Sequence, residues 1–275
     1  MKPILTIAIP TWNRVSYLRE LLPEIISQCK EFPREIEILV SDNCSTDNTP
    51  RYIIDARKYL ADPSGVSLHY YRNCVNIGGD RNFIKCVSCA KGDYVWLFGD
   101  DDQIVHGAIA LVMSTLKKGN VDLIIVGDEA YNVGIPESTT FGSYKDVVRT
   151  MGWANPHFVL AHTLITANIF KQSIFDIEFA TSMLKSTCYS HMYTLMKSLV
   201  VGGRVTVLVE PIVNTTRNHA SFGEAQPLLY LHQFNYIRHI GSIFENRAVS
   251  KYAYKFIVKS LPQAGYNFLM ELKPR

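Results

Sequence analysis

Three consecutive carboxylates, Asp100-Asp101-Asp102, follow the strand-like run at 93–98 after a single Gly99. Carboxylates crowded at the end of a buried strand repel one another, so the site needs a cation or a strong hydrogen-bond network. Mg²⁺ or Mn²⁺ suits it, because these hard cations take carboxylate and phosphate oxygens and keep water at other positions. The plainer alternative is a solvated acidic turn capping the helix after Ile104, a task Asp performs well. Two more residues stand at the ends of apolar runs: Trp12 after 4–10 and Asp42 after 35–41. An indole offers a face to a nucleobase, and a carboxylate accepts from a ring N–H. Singly, each also suits a surface Trp or an Asx-turn.

These residues are placed by a repeating pattern. The run 4–10 reads as a strand and is followed by a helix-period pattern through Tyr17, Leu18, Leu21, Leu22, Ile25 and Ile26. The run 35–41 is a second strand, with cap chemistry at 42–47 before a helix carrying Tyr52, Ile53 and Leu60. A third strand at 67–72, the turn Asn76-Ile77-Gly78-Gly79-Asp80, a helix at 81–90 and a fourth strand at 93–98 follow. Alternating strands and helices imply right-handed β-α-β units and a mostly parallel sheet, whose ligands gather at the carboxyl ends of the strands. Trp12, Asp42, the Gly-Gly turn and the aspartates all fall at such ends. A helix at 108–117 and a strand at 121–126 continue the pattern, and 127–152 looks irregular. Helices are expected near 167–175, 185–200, 228–245 and 253–261, with a strand at 204–209.

Composition narrows the classes. With 275 residues and 47% hydrophobic content, the chain can bury a large core. A net charge of +3, with 28 scattered Lys and Arg, gives no support to a nucleic-acid partner. Six cysteines are dispersed, and the first residues lack a secretory leader, so a reducing cytoplasm is expected. The Cys86-Val-Ser-Cys89 pair has metal-ligand spacing, but no second pair completes four ligands, which leaves structural thiols. No run approaches the roughly 18–20 apolar residues that span a bilayer. A basic amphipathic stretch at 247–275 suits packing on its own domain, a second subunit in a homo-oligomer, or peripheral contact with the inner face of the cytoplasmic membrane.

The order TIAIPTWNR, ILVSDNCSTDNT, NCVNIGGDRNF and GDYVWLFGDDD resembles the donor half of family 2 glycosyltransferases over residues 4–126. The resemblance implies a GT-A fold: a Rossmann-like, mostly parallel central sheet flanked by helices. It divides the chain into a glycosyltransferase domain at 1–222, with a donor half at 1–127 and an acceptor half at 128–222, and a helical C-terminal extension at 223–275. The family's base pocket carries over to Pro10, Thr11, Trp12 and Asp42, with Trp12 replacing a more usual Tyr. Arg14 and Arg81 match positions that approach the donor diphosphate. Asp100 is expected to serve the ribose and Asp101 or Asp102 the Mn²⁺ or Mg²⁺ ion, because Gly99 stands where many members have the first Asp. An Arg-x-His loop places His219 near the metal or diphosphate.

Inverting transfer needs a general base beside the acceptor hydroxyl. Where the family often carries an acidic residue near the start of the helix, the stretch CYSHMYTLMKSLVVGGRVTVLVEP has none before Glu210, and His191 stands at about the expected place with a suitable ordinary pKa. Asp128 and Glu129 are the alternatives. The phrases WLFGDDD and VNIGGDRNF are similar to bacterial O-antigen sugar transferases of the abequosyltransferase type. That similarity implies a UDP- or CDP-sugar donor and a saccharide acceptor on a polyprenyl-diphosphate lipid, in lipopolysaccharide synthesis. A sugar-1-phosphate nucleotidyltransferase would show a Gly-rich loop after the first strand, where this chain has Pro10-Thr11-Trp12-Asn13-Arg14. A non-catalytic nucleotide-binding protein is the other alternative, resting on the missing acidic residue.

Overall fold

The computed structural model describes residues 2–128, 135–151, 164–185, 187, 189–200 and 202–215. Strands β1 (Leu5–Thr11) and β2 (Ile36–Asp42) are buried along their whole length. Their near-continuous apolar sequences are what a parallel strand covered on both faces requires. Helix α1 (Val15–Cys29) joins them; α2 (Thr49–Ala56) leads to β3 (Ser67–Arg72), and α3 (Gly79–Cys89) to β4 (Tyr94–Leu97). β1 pairs in parallel with both β2 and β4, and β3 in parallel with β2.

The rest of the sheet is mixed. After the short β5 (Gln103–Ile104) come α4 (Ala108–Lys117) and β6 (Leu123–Asp128). The stretch 127–152 contains β7 (Thr139–Phe141) and α5 (Tyr144–Met151). The expected helix at 167–175 is instead β8 (Asn168–Lys171), flanked by single 3-10 turns at Ile165–Ala167 and Gln172–Ile174. β8 pairs antiparallel with both β4 and β6. Two helices follow, α6 (Ile177–Met183) and α7 (Ser190–Val200), and then β9 (Val205–Asn214) closes the order β3-β2-β1-β4-β8-β6-β9-β5 with β7 on β9. Residues 216–275, with the expected helices at 228–245 and 253–261 and the extension at 223–275, lie outside the described residues.

Side-chain alternation along the strands builds two cores. Leu5, Ile7 and Ile9 meet α1, α2 and α4 on one face. Ala8, Leu39, Val95 and Leu97 meet α3, α5, α6 and α7 on the other. The amino edge of the sheet is fastened by buried polar groups. The Thr6 hydroxyl donates to Glu37 Oε1 at 2.6 Å, and the same oxygen receives the Lys91 backbone N–H at 2.6 Å. The opposite, carboxyl edge is left to the loops that carry the polar motifs.

Candidate functional site

The parallel register puts Thr11 beside Asp42 and Pro10 beside Ser41, so β1 and β2 end level with each other. β4 ends next to them, and the turn after it carries Gly99 to Asp102. Across this edge the Thr11 hydroxyl donates to Asp100 Oδ2 at 2.6 Å. Arg14 Nη1 bridges two carboxylates, lying 2.7 Å from Asp100 Oδ1 and 2.8 Å from Asp101 Oδ2. The cation demanded by the crowded carboxylates is therefore supplied from within the chain. Burial pushes the Asp100 carboxyl up to about 6, against the pull of Arg14 and Thr11. Burial alone would lower the Arg14 pKa, but Asp100 and Asp101 outweigh it and hold the guanidinium above its usual value.

Asp102 is engaged elsewhere. Its Oδ2 accepts a short hydrogen bond from the hydroxyl of Thr166, a fully buried residue on the 3-10 turn before β8. The same hydroxyl oxygen accepts the Gly99 N–H at 2.8 Å, and the Thr166 carbonyl accepts from Trp96 Nε1 at 2.8 Å. This arrangement accounts for Gly99. A Cβ there would stand 2.5 Å from Asp102 Oδ2 and 3.2 Å from Thr166 Oγ1. Gly99→Ala should therefore detach Asp102 and cost about 1–2 kcal/mol, the range for a partly buried hydrogen bond, seen as a lower urea midpoint. The loss should shrink when Asp102→Ala is already present, and an equal loss in both backgrounds would contradict the explanation.

Asp42 is fully buried and already has partners. Its Oδ1 accepts the Ser45 N–H at 2.8 Å, its Oδ2 accepts the Tyr70 hydroxyl at 2.8 Å, and Arg72 Nε lies 3.4 Å from that second oxygen. Burial, with Asp42 adding to it, raises the Tyr70 pKa and keeps the phenol protonated as a donor. Trp12 is 50% exposed, so its indole face is open to a ligand. Asn13 and Cys44 on the two adjoining loops adopt φ of 54° and 66°. Residues other than Gly rarely take such values, and clusters of them mark functional loops. The Asn13 loop is held by its Oδ1, which accepts the Thr46 N–H at 2.7 Å.

The expected residues thus fall into groups. Thr11, Arg14, Asp100 and Asp101 are in direct contact, Asp102 is attached through Thr166, and Pro10, Trp12 and Asp42 line the neighbouring strand ends. Arg81 is exposed at the start of α3 and makes no ion pair among the described residues. His191 lies on the first turn of α7, 4% exposed, with Phe83 edge-on and Tyr189 tilted, each 6.2 Å away between ring centroids. His219 and Glu129 lie outside the described residues, as does the Asp128 side chain. Among the described residues no three His, Cys, Asp or Glu side chains already form a cation cage. The donor set nonetheless suits a divalent ion: Asp101 is a hard oxygen ligand, 21% exposed, that already faces a cation in Arg14.

The family model described as "Glycosyl transferase family 2" matches residues 6–185. Abequosyltransferase RfbV of Salmonella typhimurium is 43% identical over 113 residues, 41% of this chain and 32% of that protein. Matches to the curated relatives span 25–40% of those proteins' lengths. Among solved structures, TarS residues 1–349 of Staphylococcus aureus in complex with UDP-GlcNAc aligns with a TM-score of 0.70 at 18% identity, covering 99% of this chain and 76% of that one. Mannosyltransferase PcManGT of Pyrobaculum calidifontis, in complex with GDP-Man and Mn²⁺, aligns with a TM-score of 0.58 at 18% identity, covering 98% and 79%. These two structures carry the fold, which is that of the GT-A glycosyltransferases.

Proposed function

The chain belongs to glycosyl transferase family 2, and on that premise we propose that it moves a sugar from a nucleoside-diphosphate donor, UDP- or CDP-linked, to a saccharide acceptor with inversion. The observation that carries this reading is the bridge from Arg14 to Asp100 and Asp101 at the ends of β1 and β4. A buried Asp100 and a partly exposed Asp101 bridged by one guanidinium form a site at which another cation can take that place.

Each residue then has a task. Trp12 offers the face on which the pyrimidine stacks. Asp42 is reached through the Tyr70 hydroxyl and the Arg72 guanidinium that cover it. Asp100, fixed by Thr11, accepts a ribose hydroxyl. Arg14 turns from the carboxylates to the diphosphate oxygens, and Arg81 approaches the same phosphates. Asp101, with Asp102 when Thr166 releases it and with His219, would hold Mn²⁺ or Mg²⁺. When bound, that ion supplies charge neutralisation on the diphosphate leaving group. The comparisons support a nucleotide sugar through TarS, solved with UDP-GlcNAc, and a divalent ion through PcManGT, solved with Mn²⁺.

We assign the proton transfer from the acceptor hydroxyl to His191. Its enclosure between Phe83 and Tyr189 means that the hydroxyl must enter that aromatic notch. His191→Ala should then reduce kcat by at least about 100-fold, in the range typical of a positioned base, with donor affinity unchanged. Retained turnover would move the role to Asp128 or Glu129. The likeness to an abequosyltransferase supports a place in O-antigen or other surface polysaccharide synthesis, with a polyprenyl-diphosphate-linked acceptor at the inner face of the cytoplasmic membrane. Among the described residues no helix is long and apolar enough to cross a membrane, so this contact would be peripheral.

Thermal denaturation with a panel of nucleoside diphosphates, with and without Mn²⁺, tests the donor site, because a ligand that binds only the folded state raises its stability. UDP or CDP should stabilise the protein more strongly with Mn²⁺. No stabilisation by any nucleoside diphosphate under either condition would overturn the reading.

A further inference from the structure

We propose that the β3 edge of the molecule, from the helical segment after α2 to the loop before β4, is a docking face for an anionic lipid surface. The proposal goes beyond the peripheral contact considered above, because it places that contact on a face of the donor half, apart from the basic stretch at 247–275.

α2 runs on without a break into a π-helical segment, Arg57–Ala61. Ala56 and Ala61 are both buried, five residues apart, as an i→i+5 turn requires. A surface α-helix returns a side chain to the core every three or four residues. Here four in a row, Arg57-Lys58-Tyr59-Leu60, are exposed, two cations beside two largely apolar groups. Tyr59 is 63% exposed, with Lys58 Nζ 4.9 Å from its ring centroid, and Ile54, about one turn earlier, is 54% exposed. Tyr and Lys side chains of this kind suit a membrane interface, where the apolar body is buried and the polar tip stays in water.

Charge is concentrated on the same elements. Residues 49–92 carry seven Lys and Arg against three Asp and Glu, a net of +4 in a chain whose total is +3. All seven basic residues are exposed, and among the described residues only Arg51 and Arg72 of the seven form ion pairs with carboxylates. Cations from two elements converge on β3: burial first, then Lys91 from the loop after α3 and Arg57, lower the His69 pKa against the pull of Glu37. β3 is the end strand of the sheet, so this cluster lines an open edge. Of the eight large apolar side chains exposed among the described residues, five lie here: Ile54, Tyr59, Leu60, Tyr71 and Val75.

Exposed apolar groups set among cations fit a partner that is anionic at its surface and apolar beneath. A soluble polyanion would use the charges and leave Ile54 and Tyr59 in water. A second copy fits poorly as well. The cluster surrounds His69 near the middle of β3, so a two-fold pairing of two β3 edges would press each cluster against its own copy, like charge on like. With this edge on a membrane, Arg72 and the Asp42 wall beside it come close to the headgroups, where a lipid-linked acceptor would present its saccharide.

Sedimentation of the full chain with vesicles of phosphatidylcholine, or of phosphatidylcholine mixed with phosphatidylglycerol, tests the proposal. No nucleotide is needed, so the result is independent of the donor-site reading. The wild type should bind the anionic vesicles only, and lose binding as salt is raised. Each basic residue at such a surface contributes roughly fivefold, so the triple variant Arg57→Glu, Lys58→Glu, Lys91→Glu should weaken partitioning by at least about 100-fold. Tyr59→Ser should weaken it at unchanged charge. Both variants should melt with the wild type, since the altered side chains are exposed. Equal binding to both vesicle types overturns the proposal, as does no binding to either, or full binding by the triple variant. Loss of binding only on Lys251→Glu with Lys255→Glu would move the contact to the tail and overturn it too. So would a wild-type dimer in sedimentation velocity that the triple variant dissociates, which would give the face to a second copy.

Discussion

Replacing Asp101 with alanine should abolish the Mn²⁺-dependent part of the stabilisation by UDP or CDP and leave the metal-free part in place. Asp101 is the outer, more exposed carboxylate of the pair and faces Arg14, whereas Asp102 accepts the Thr166 hydroxyl. Its removal takes away a partly exposed oxygen ligand that already faces a cation. At 100 times the dissociation constant a ligand adds about 2.7 kcal/mol, so loss of the metal contribution is read easily as a lower melting temperature. The fold should tolerate the change, because Asp100 keeps both Arg14 and Thr11. A metal response equal to wild type would transfer the role to Asp102 and require the Thr166 bond to open on binding.

Arg14→Ala should destabilise the unliganded protein by about 2–3 kcal/mol. Arg14 is the cation of a largely buried pair, and removing one partner from such a pair leaves an uncompensated charge; the 26% exposure of its side chain moderates the loss. The distinguishing consequence concerns metal. With the guanidinium gone, Mn²⁺ alone should restore more stability to Arg14→Ala than it gives to the wild type, because in the wild type the ion competes with Arg14 for Asp101. The measurement is the melting temperature of both proteins across a Mn²⁺ titration without nucleotide. Equal responses would show that Arg14 and the ion do not share a place.

Much of the donor half was legible because its elements obey local rules. The apolar run at 4–10 is strand β1 within a residue, and the helix expected at 108–117 spans those residues. The polar turns at 11–14, 42–47 and 76–80 lie at strand ends, as β-α-β geometry requires. The acceptor half was harder for a physical reason. Ala167, Phe170 and Ile174 recur at helical spacing, yet 168–171 is inserted antiparallel between β4 and β6, where pairing with two buried neighbours outweighs a short periodic signal.

The same contrast holds for the site. Asp100 and Asp101 were visible as a charged run after an apolar one, but Thr166, which holds Asp102 and gives Gly99 its reason, comes from 64 residues further along. Nothing local distinguishes that Thr from any other. Tyr70 and Arg72 were more accessible to inference. They alternate at the end of β3, and the β2 register opposes Arg72 to Asp42, so a parallel sheet alone could have placed them over that carboxylate.

The most direct test of the central claim, that the carboxyl ends of β1, β2 and β4 form a nucleotide-sugar site, is amide hydrogen exchange with and without UDP plus Mn²⁺, repeated with CDP. Slower exchange should appear in peptides covering 9–14, 42–47, 73–82 and 99–102 with at least one of the two nucleotides, while the amino edge near Glu37 and Lys91 stays unchanged. Protection confined to other parts of the chain, or absent with both nucleotides, would contradict it.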